Sequence, residues 1–232
     1  MKKKPFGSAL LLGVAVVAAA ALWMQGSRAV DARTKTSSAK TNPASTPTTQ
    51  VVLPKNREVA TLAAGCFWSM EAIFKQLKGV DKVVPGYAGG QLANPSYEQV
   101  EEGNTGHAEA LQITYDPKVI SYADLLQVLL IARNPTTLNQ QGPDEGPQYR
   151  SVIFAHNAQQ AQIARETIAK VSAAHTWKAP IVTPVTPFSN FYKAEDYHFD
   201  YYNLHPDQPY CSGVIAPEIA EFRAKFKDKL KQ

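Results

Sequence analysis

The sequence predicts an α+β domain over residues 55–232, a sandwich of helices on a mixed sheet. Three observations carry that expectation. The 232 residues are 44% hydrophobic, too apolar for general disorder and long enough for one well-packed domain or two small ones. Runs with strand character interleave with runs of helical periodicity along the whole span. The first helical run, with Phe67, Met70, Phe74 and Leu77 at spacings of three, four and three, follows a strand-like run directly. No internal repeat is visible.

Glu58 to Gly65 reads as the first strand, and the stripe just named makes the following helix core-facing. Val83 to Tyr87 is extended and stops at Gly89-Gly90. A polar loop with Asn94, Pro95 and Tyr97 comes next, then a strand from His107 to Tyr115. Ser121 with Asp124 resembles a capping box, opening a helix that carries Leu125, Leu126, Leu129 and Leu130. Pro135 ends it. Residues 134–147, rich in Asn, Gln, Gly and Pro, form a loop. Tyr149 to Ala155 is the next strand, and Asn157 caps a helix running to about Ala174. Prolines demote Ile181 to Val185 towards an edge strand. Pro217 stands where a helix begins, ahead of Ile219, Phe222, Phe226 and Leu230.

Before the domain, Lys2 to Lys4 form a basic n-region, Ala9 to Met24 an uncharged apolar run, and Ser27-Arg28-Ala29 a site of small residues. This is the pattern of a secretory signal over 1–29, cleaved after Ala29. The alternative is an uncleaved membrane anchor, although the run is short against the ~20 residues a spanning helix needs. Export to the bacterial periplasm follows on either reading. Residues 30–54, rich in Ser, Thr and Pro, cannot bury enough surface to offset their ordering entropy and read as a disordered tether. The net charge of +4 belongs to the leader, whose four bases meet no acid, so a nucleic-acid partner loses its electrostatic support. Two cysteines are too few for a disulfide scaffold or an all-cysteine zinc site, and no paired-His or Cys/His spacing suggests a metal. Neither metal nor cofactor is expected.

Two residues carry candidate chemistry. Cys66 falls at a strand-to-helix junction, where unpaired N–H groups and the helix dipole favour thiolate over thiol. A buried structural cysteine is the plain alternative. Glu109 shares a strand face with Leu111 and Ile113, so its carboxyl is costly to ionise and suited to donating a proton, unless the strand edge lets it reach water or a Lys.

Gly65-Cys66-Phe67-Trp68, Gly86-Tyr87-Ala88-Gly89-Gly90, Thr105-Gly106-His107-Ala108-Glu109 and Gln148-Tyr149-Arg150-Ser151 occur in that order. Together they resemble the A-type peptide methionine sulfoxide reductases, over about residues 56 to 226. The resemblance implies an α+β two-layer sandwich related to the ferredoxin-like plait. It implies reduction of the S epimer of methionine sulfoxide, free or in peptides, as repair of oxidative damage. It makes Cys66 the nucleophile, Glu109 the proton donor, Phe67 and Trp68 the pocket for the S-methyl group, Tyr97 and Tyr149 hydrogen-bond partners of the sulfoxide oxygen, and Asp144 a neighbour of the site. Cys211 resembles the resolving cysteine of a mobile C-terminal segment; burial beside Val214 and Ile215 is the competing reading. A thioredoxin-like reductant and oxidised proteins or peptides are the implied partners of a monomer. The chain departs from the family pattern at Arg133-Asn134-Pro135 and at Phe199, which puts loop packing in doubt. A cysteine hydrolase using His107 or His198 as base is the rival enzyme, and a peptide-binding module with a structural disulfide is the non-enzyme rival.

Overall fold

The computed structural model describes residues 54–232. The expected signal over 1–29 and all but the last residue of the expected tether lie outside them. Strand β1 is Glu58–Ala63, helix α1 Phe67–Phe74, β2 Val80–Ala88, α2 Tyr97–Glu101, β3 Ala108–Tyr115 and α3 Tyr122–Ala132. A small hairpin, β4 Gln140–Gln141 and β5 Asp144–Glu145, precedes β6 Val152–Ala155 and α4 Ala158–Ala173. Then come β7 Val185–Pro187, β8 Phe191–Lys193, α5 Tyr201–Leu204 and α6 Ala216–Lys225.

The main sheet has the order β7-β6-β1-β3-β2-β8, antiparallel throughout except for the parallel β6–β7 pair. Its centre, β6-β1-β3-β2, is the split βαβ arrangement of the ferredoxin-like plait, as expected. Ala60, Leu62, Leu111, Ile113 and Tyr87 on one face of that sheet pack with Phe67, Met70, Leu126, Ala164, Ile219 and Phe222 of the helices into the principal core. A smaller cluster on the other face joins Ala63, Ala88, Ala108 and Ala110 to Phe154 and Phe191. β3 is therefore buried on both sides, although its alternating pattern alone suggested one wet face.

Most elements form where the sequence places them. The α1 stripe is buried throughout. Ser121 accepts from the Asp124 N–H while the Asp124 carboxylate takes the Ser121 N–H, closing the box that starts α3. Asn157 accepts the Gln160 N–H at 2.8 Å to start α4. The differences have local causes. Tyr97 opens a one-turn helix rather than lying in a loop, because Ser96 and Gln99 form a second capping box. Residues 134–147 contain the β4–β5 hairpin. Tyr149 sits in a 3₁₀ turn begun by Pro147, so the strand starts only at Val152. The edge strand predicted at Ile181 to Val185 forms later, at Val185–Pro187. α6 ends at Lys225, and Leu230 pairs in an isolated bridge with Leu77. β8 and α5 carry no clear periodicity and were not expected.

The residues that depart from the family pattern are well packed. Arg133 is buried, donates to the Ala64 carbonyl and the Ser69 hydroxyl at 3.0 Å each, and pairs with Glu218 of α6. The guanidinium thus ties α1, the end of α3 and α6 together. Phe199 carries the Lys193 ammonium over its ring, 4.7 Å from the centroid. Arg133→Met is expected to leave the Ala64 carbonyl and the Ser69 hydroxyl without their donor, and the Glu218 carboxylate with only the Ser69 hydroxyl donating to it. Because Glu218 is partly solvated, the loss should be about 2 kcal/mol, below the full cost of a broken buried pair. Urea denaturation checks this; an unchanged midpoint would remove the pair from the account of α6 docking.

Candidate active site

Gly65 joins β1 to α1 with φ +81°, a conformation that favours glycine, and a Cβ there would lie 2.5 Å from Gln141 and 2.6 Å from Arg133. This junction sets Cys66 at the N-cap of α1. Glu109, on β3 beneath it, takes the Phe67 N–H at 2.8 Å. One of the free N–H groups at the start of the helix is thereby given to the carboxyl, and the Cys66 side chain accepts no capping hydrogen bond.

Cys66 is 6% exposed and Glu109 1% exposed, so the site is nearly dry. Burial pushes the Glu109 carboxyl well above its ordinary range, and Glu101 and Asp144 push it further, against the pull of the Phe67 N–H. Glu109 is therefore a neutral acid, as its position on an apolar strand face predicted. The thiol corrects its expectation. Burial pushes Cys66 well up, and ionising Glu109 would push it further. The resting site holds a thiol, because desolvation exceeds the dipole.

The other expected residues converge on this pair. Phe67 is fully buried, with Tyr97 stacked at 6.5 Å between centroids and His198 at 4.8 Å. The Trp68 ring stacks on Tyr201 at 3.8 Å and meets Tyr210 edge-on at 6.1 Å. Tyr97 lies near enough to Glu109, Glu101 and Cys66 for their charges to raise its pKa. Tyr149 differs: its hydroxyl donates to Glu101 Oε2 at 2.9 Å, although Glu109 is again a neighbour. Asp144 accepts the Tyr210 hydroxyl at 2.5 Å, and Tyr210 and Cys66 lie near enough for each to shift the other's pKa. Tyr210 thus sits beside the thiol.

Cys211, next to Tyr210, is a free thiol with 0% exposure, packed in the principal core. It opens a π-helical turn, Cys211–Ile215, leading into α6. The burial of the competing reading is present for Cys211 and Ile215, while Val214 is half-buried, and the neighbouring Tyr210 sits beside Cys66. Beyond it, Gly213 faces open space.

The family model described as peptide methionine sulfoxide reductase matches residues 58–230. The chain belongs to that family. The peptide methionine sulfoxide reductase MsrA of Polynucleobacter asymbioticus is 52% identical over 170 residues, covering 73% of this chain and 90% of that protein. That of Saccharolobus solfataricus is 50% identical over 174 residues, covering 75% and 97%. Among solved structures, reduced Mxr1 from Saccharomyces cerevisiae superposes with TM-score 0.63 at 36% identity, covering 67% of this chain and 89% of that one. Methionine sulfoxide reductase A of Corynebacterium diphtheriae gives 0.60 at 33%, covering 66% and 77%. The chain is an enzyme, a peptide-methionine (S)-S-oxide reductase.

Several groups of this peptide methionine sulfoxide reductase site were not given these roles from sequence. Glu195 holds the Tyr87 hydroxyl at 2.8 Å and the Tyr97 N–H at 2.9 Å, fixing the start of α2 over Phe67. His198 accepts the Trp68 indole N–H at Nδ1, 3.0 Å away, so its proton is assigned to Nε2, which has no hydrogen-bond partner among the described residues and lies 3.7 Å from Glu195 Oε2. Burial lowers its pKa to about 4. His107 accepts from the Gly90 N–H and bonds the Leu92 carbonyl through Nε2, so it anchors the glycine turn. Both imidazoles that a hydrolase would need as base are thus engaged elsewhere. The adjacency of Tyr210 to Cys211, and the four-residue spacing of Tyr97 and Glu101 on one helix, were the available signals.

Proposed function

We propose that this reductase works through Cys66 and Glu109 at the shared N-terminus of α1, with Cys211 as the resolving thiol. The proximity of a buried neutral carboxyl, held by the first helix N–H, to a buried thiol is the observation that carries the reading. A sulfoxide oxygen leaves poorly unless protonated. Cys66 sulfur attacks the sulfoxide sulfur while Glu109 delivers its proton to the oxygen, and Tyr97 and Tyr149 stabilise the developing charge. The Cys66 proton leaves through the Tyr210 hydroxyl towards Asp144. The protonated oxygen then passes from the substrate sulfur to the Cys66 sulfur as the transient S–S bond breaks; methionine departs with its sulfur reduced by two electrons, and Cys66 is left as the sulfenic acid, oxidised by the same two. Cys211 then attacks that sulfur, water leaves, and a Cys66–Cys211 disulfide forms for reduction by a thioredoxin-like dithiol. Phe67 and Trp68 supply the apolar wall for the S-methyl group, with Trp68 oriented by His198.

We further propose a periplasmic monomer, delivered by the leader over 1–29 and spaced by the tether over 30–54, acting on exported proteins. The leader pattern supports this, and fractionation of cells expressing the full chain tests it; enzyme confined to the cytosol would contradict it. The reaction itself is tested with residues 30–232, dithiothreitol and a peptide carrying both epimers of methionine sulfoxide, followed by mass and chiral chromatography. The S epimer should lose one oxygen and the R epimer none. Loss from both, or from neither, would refute the stereospecific reading.

A further inference from the structure

One half-buried carboxyl of the site has no part in the scheme above. Glu101 ends α2, one turn after Tyr97, and projects to the same side as that tyrosine's surroundings. Its Oε2 accepts the Tyr149 hydroxyl at 2.9 Å. Its Oε1 is buried with no hydrogen-bond partner among the described residues. No cation pairs with it among those residues. The groups facing it from the packed elements are Tyr149 in its 3₁₀ turn, Asp144 of β5, Glu109 of β3 and Tyr97 of its own helix. All of them are acidic or neutral.

We propose that Glu101 is a positioning residue for the reduction: it anchors the Tyr149 hydroxyl and, as a second carboxyl in one dry pocket, keeps the proton on Glu109. Two carboxyls that share a poorly solvated space resist ionising together, so a charge on one holds the other neutral. Burial and the neighbouring Asp144 act on Glu101, and Glu101 in turn raises Glu109. The Tyr149 bond adds geometry. With its one proton committed to Glu101, the hydroxyl keeps a fixed orientation beside the acid.

The inference rests on Glu109 as the proton donor, and the test separates the two. The protein is labelled with ¹³C at the glutamate carboxyls, and the Glu109 resonance is assigned by its disappearance in Glu109→Gln. In Glu101→Gln the Glu109 midpoint is expected to fall by roughly 1 pH unit. In Glu101→Asp, which restores a charge, it should stay near the wild-type value. Single-turnover reduction of a sulfoxide peptide by Glu101→Gln should match wild type at low pH. Above both midpoints it should be slower by about tenfold, the factor that one unit implies. A Glu109 midpoint unmoved by Glu101→Gln, or a rate loss equal at both pH values, overturns the proposal. Full activity in Glu109→Gln would instead remove the proton-donor reading, while the titration would still report whether Glu101 acts on Glu109.

Discussion

Cys66→Ser is expected to remove oxygen transfer entirely, and Glu109→Gln to slow the first turnover by about 10²–10⁴-fold, the usual range for one lost general acid. The two losses differ in kind. Serine at position 66 keeps the N-cap position and the neighbouring N–H contacts but offers no sulfur to bear the oxygen. Glutamine at 109 still accepts the Phe67 N–H yet carries no acidic proton. A stopped single turnover, read by peptide mass, separates them: Glu109→Gln should still form the sulfenic acid, slowly. Wild-type speed in that variant would move the proton source elsewhere in the pocket.

The same substitution makes an opposite prediction for stability. An unfolded glutamate titrates at about 4.3, whereas Glu109 in the fold titrates well above that because it is buried. Between the two values the folded chain holds one proton more than the unfolded one. The stability from a buried neutral Glu109 is therefore fully present below about pH 4.3 and is lost as pH rises through the folded value. Glutamine has no proton to lose. Glu109→Gln should thus gain on wild type steadily from pH 5 to pH 8, measured by urea midpoints at each pH. A gap that stays constant would show that Glu109 is not held neutral. The expected pairing of lost activity with gained stability at pH 8 marks an acid kept for chemistry rather than for the fold.

How much of this could be read without coordinates depended on the range of the interaction. Gly65-Cys66 at the junction, the box of Ser121 and Asp124, and the buried α1 stripe are local matters of dihedrals and period, and all formed as expected. Glu109 was legible because period-two alternation puts it beside Leu111 and Ile113. The Cys66 thiol misled for the opposite reason. The helix end that should lower its pKa is visible in the sequence, but the burial that raises it comes from elements brought in from elsewhere. Tyr149 was assigned to a strand because the run to Ala155 is continuous. The turn at Gly146-Pro147 that lifts it towards Glu101 shows only in the backbone. Glu195 and His198 lie in a segment of short elements where no period exceeds one turn, so neither could be tied to Tyr97 or Trp68 in advance.

Cys211→Ser is expected to leave the first reduction intact and abolish turnover driven by a thioredoxin-like dithiol. In the resting enzyme Cys211 is fully buried, and the adjacent Tyr210, bonded to Asp144, sits beside Cys66. Forming the disulfide requires Cα atoms within about 7 Å and correctly aimed Cβ atoms, so Tyr210 must give up its place beside the thiol. The π-helical turn suits that exchange, since such turns are weakly held insertions in a helix. Gly213 meets no neighbour, and Arg133 can keep α6 docked while the turn unwinds. Wild type treated with one equivalent of sulfoxide peptide should then lose two hydrogens and yield a linked peptide containing Cys66 and Cys211. Cys211→Ser should instead stop as a dimedone-reactive sulfenic acid at Cys66, with one methionine released per enzyme. If that variant cycles at the wild-type rate with thioredoxin, Cys211 is an inert core thiol, and the dithiol donor must attack the sulfenic acid directly.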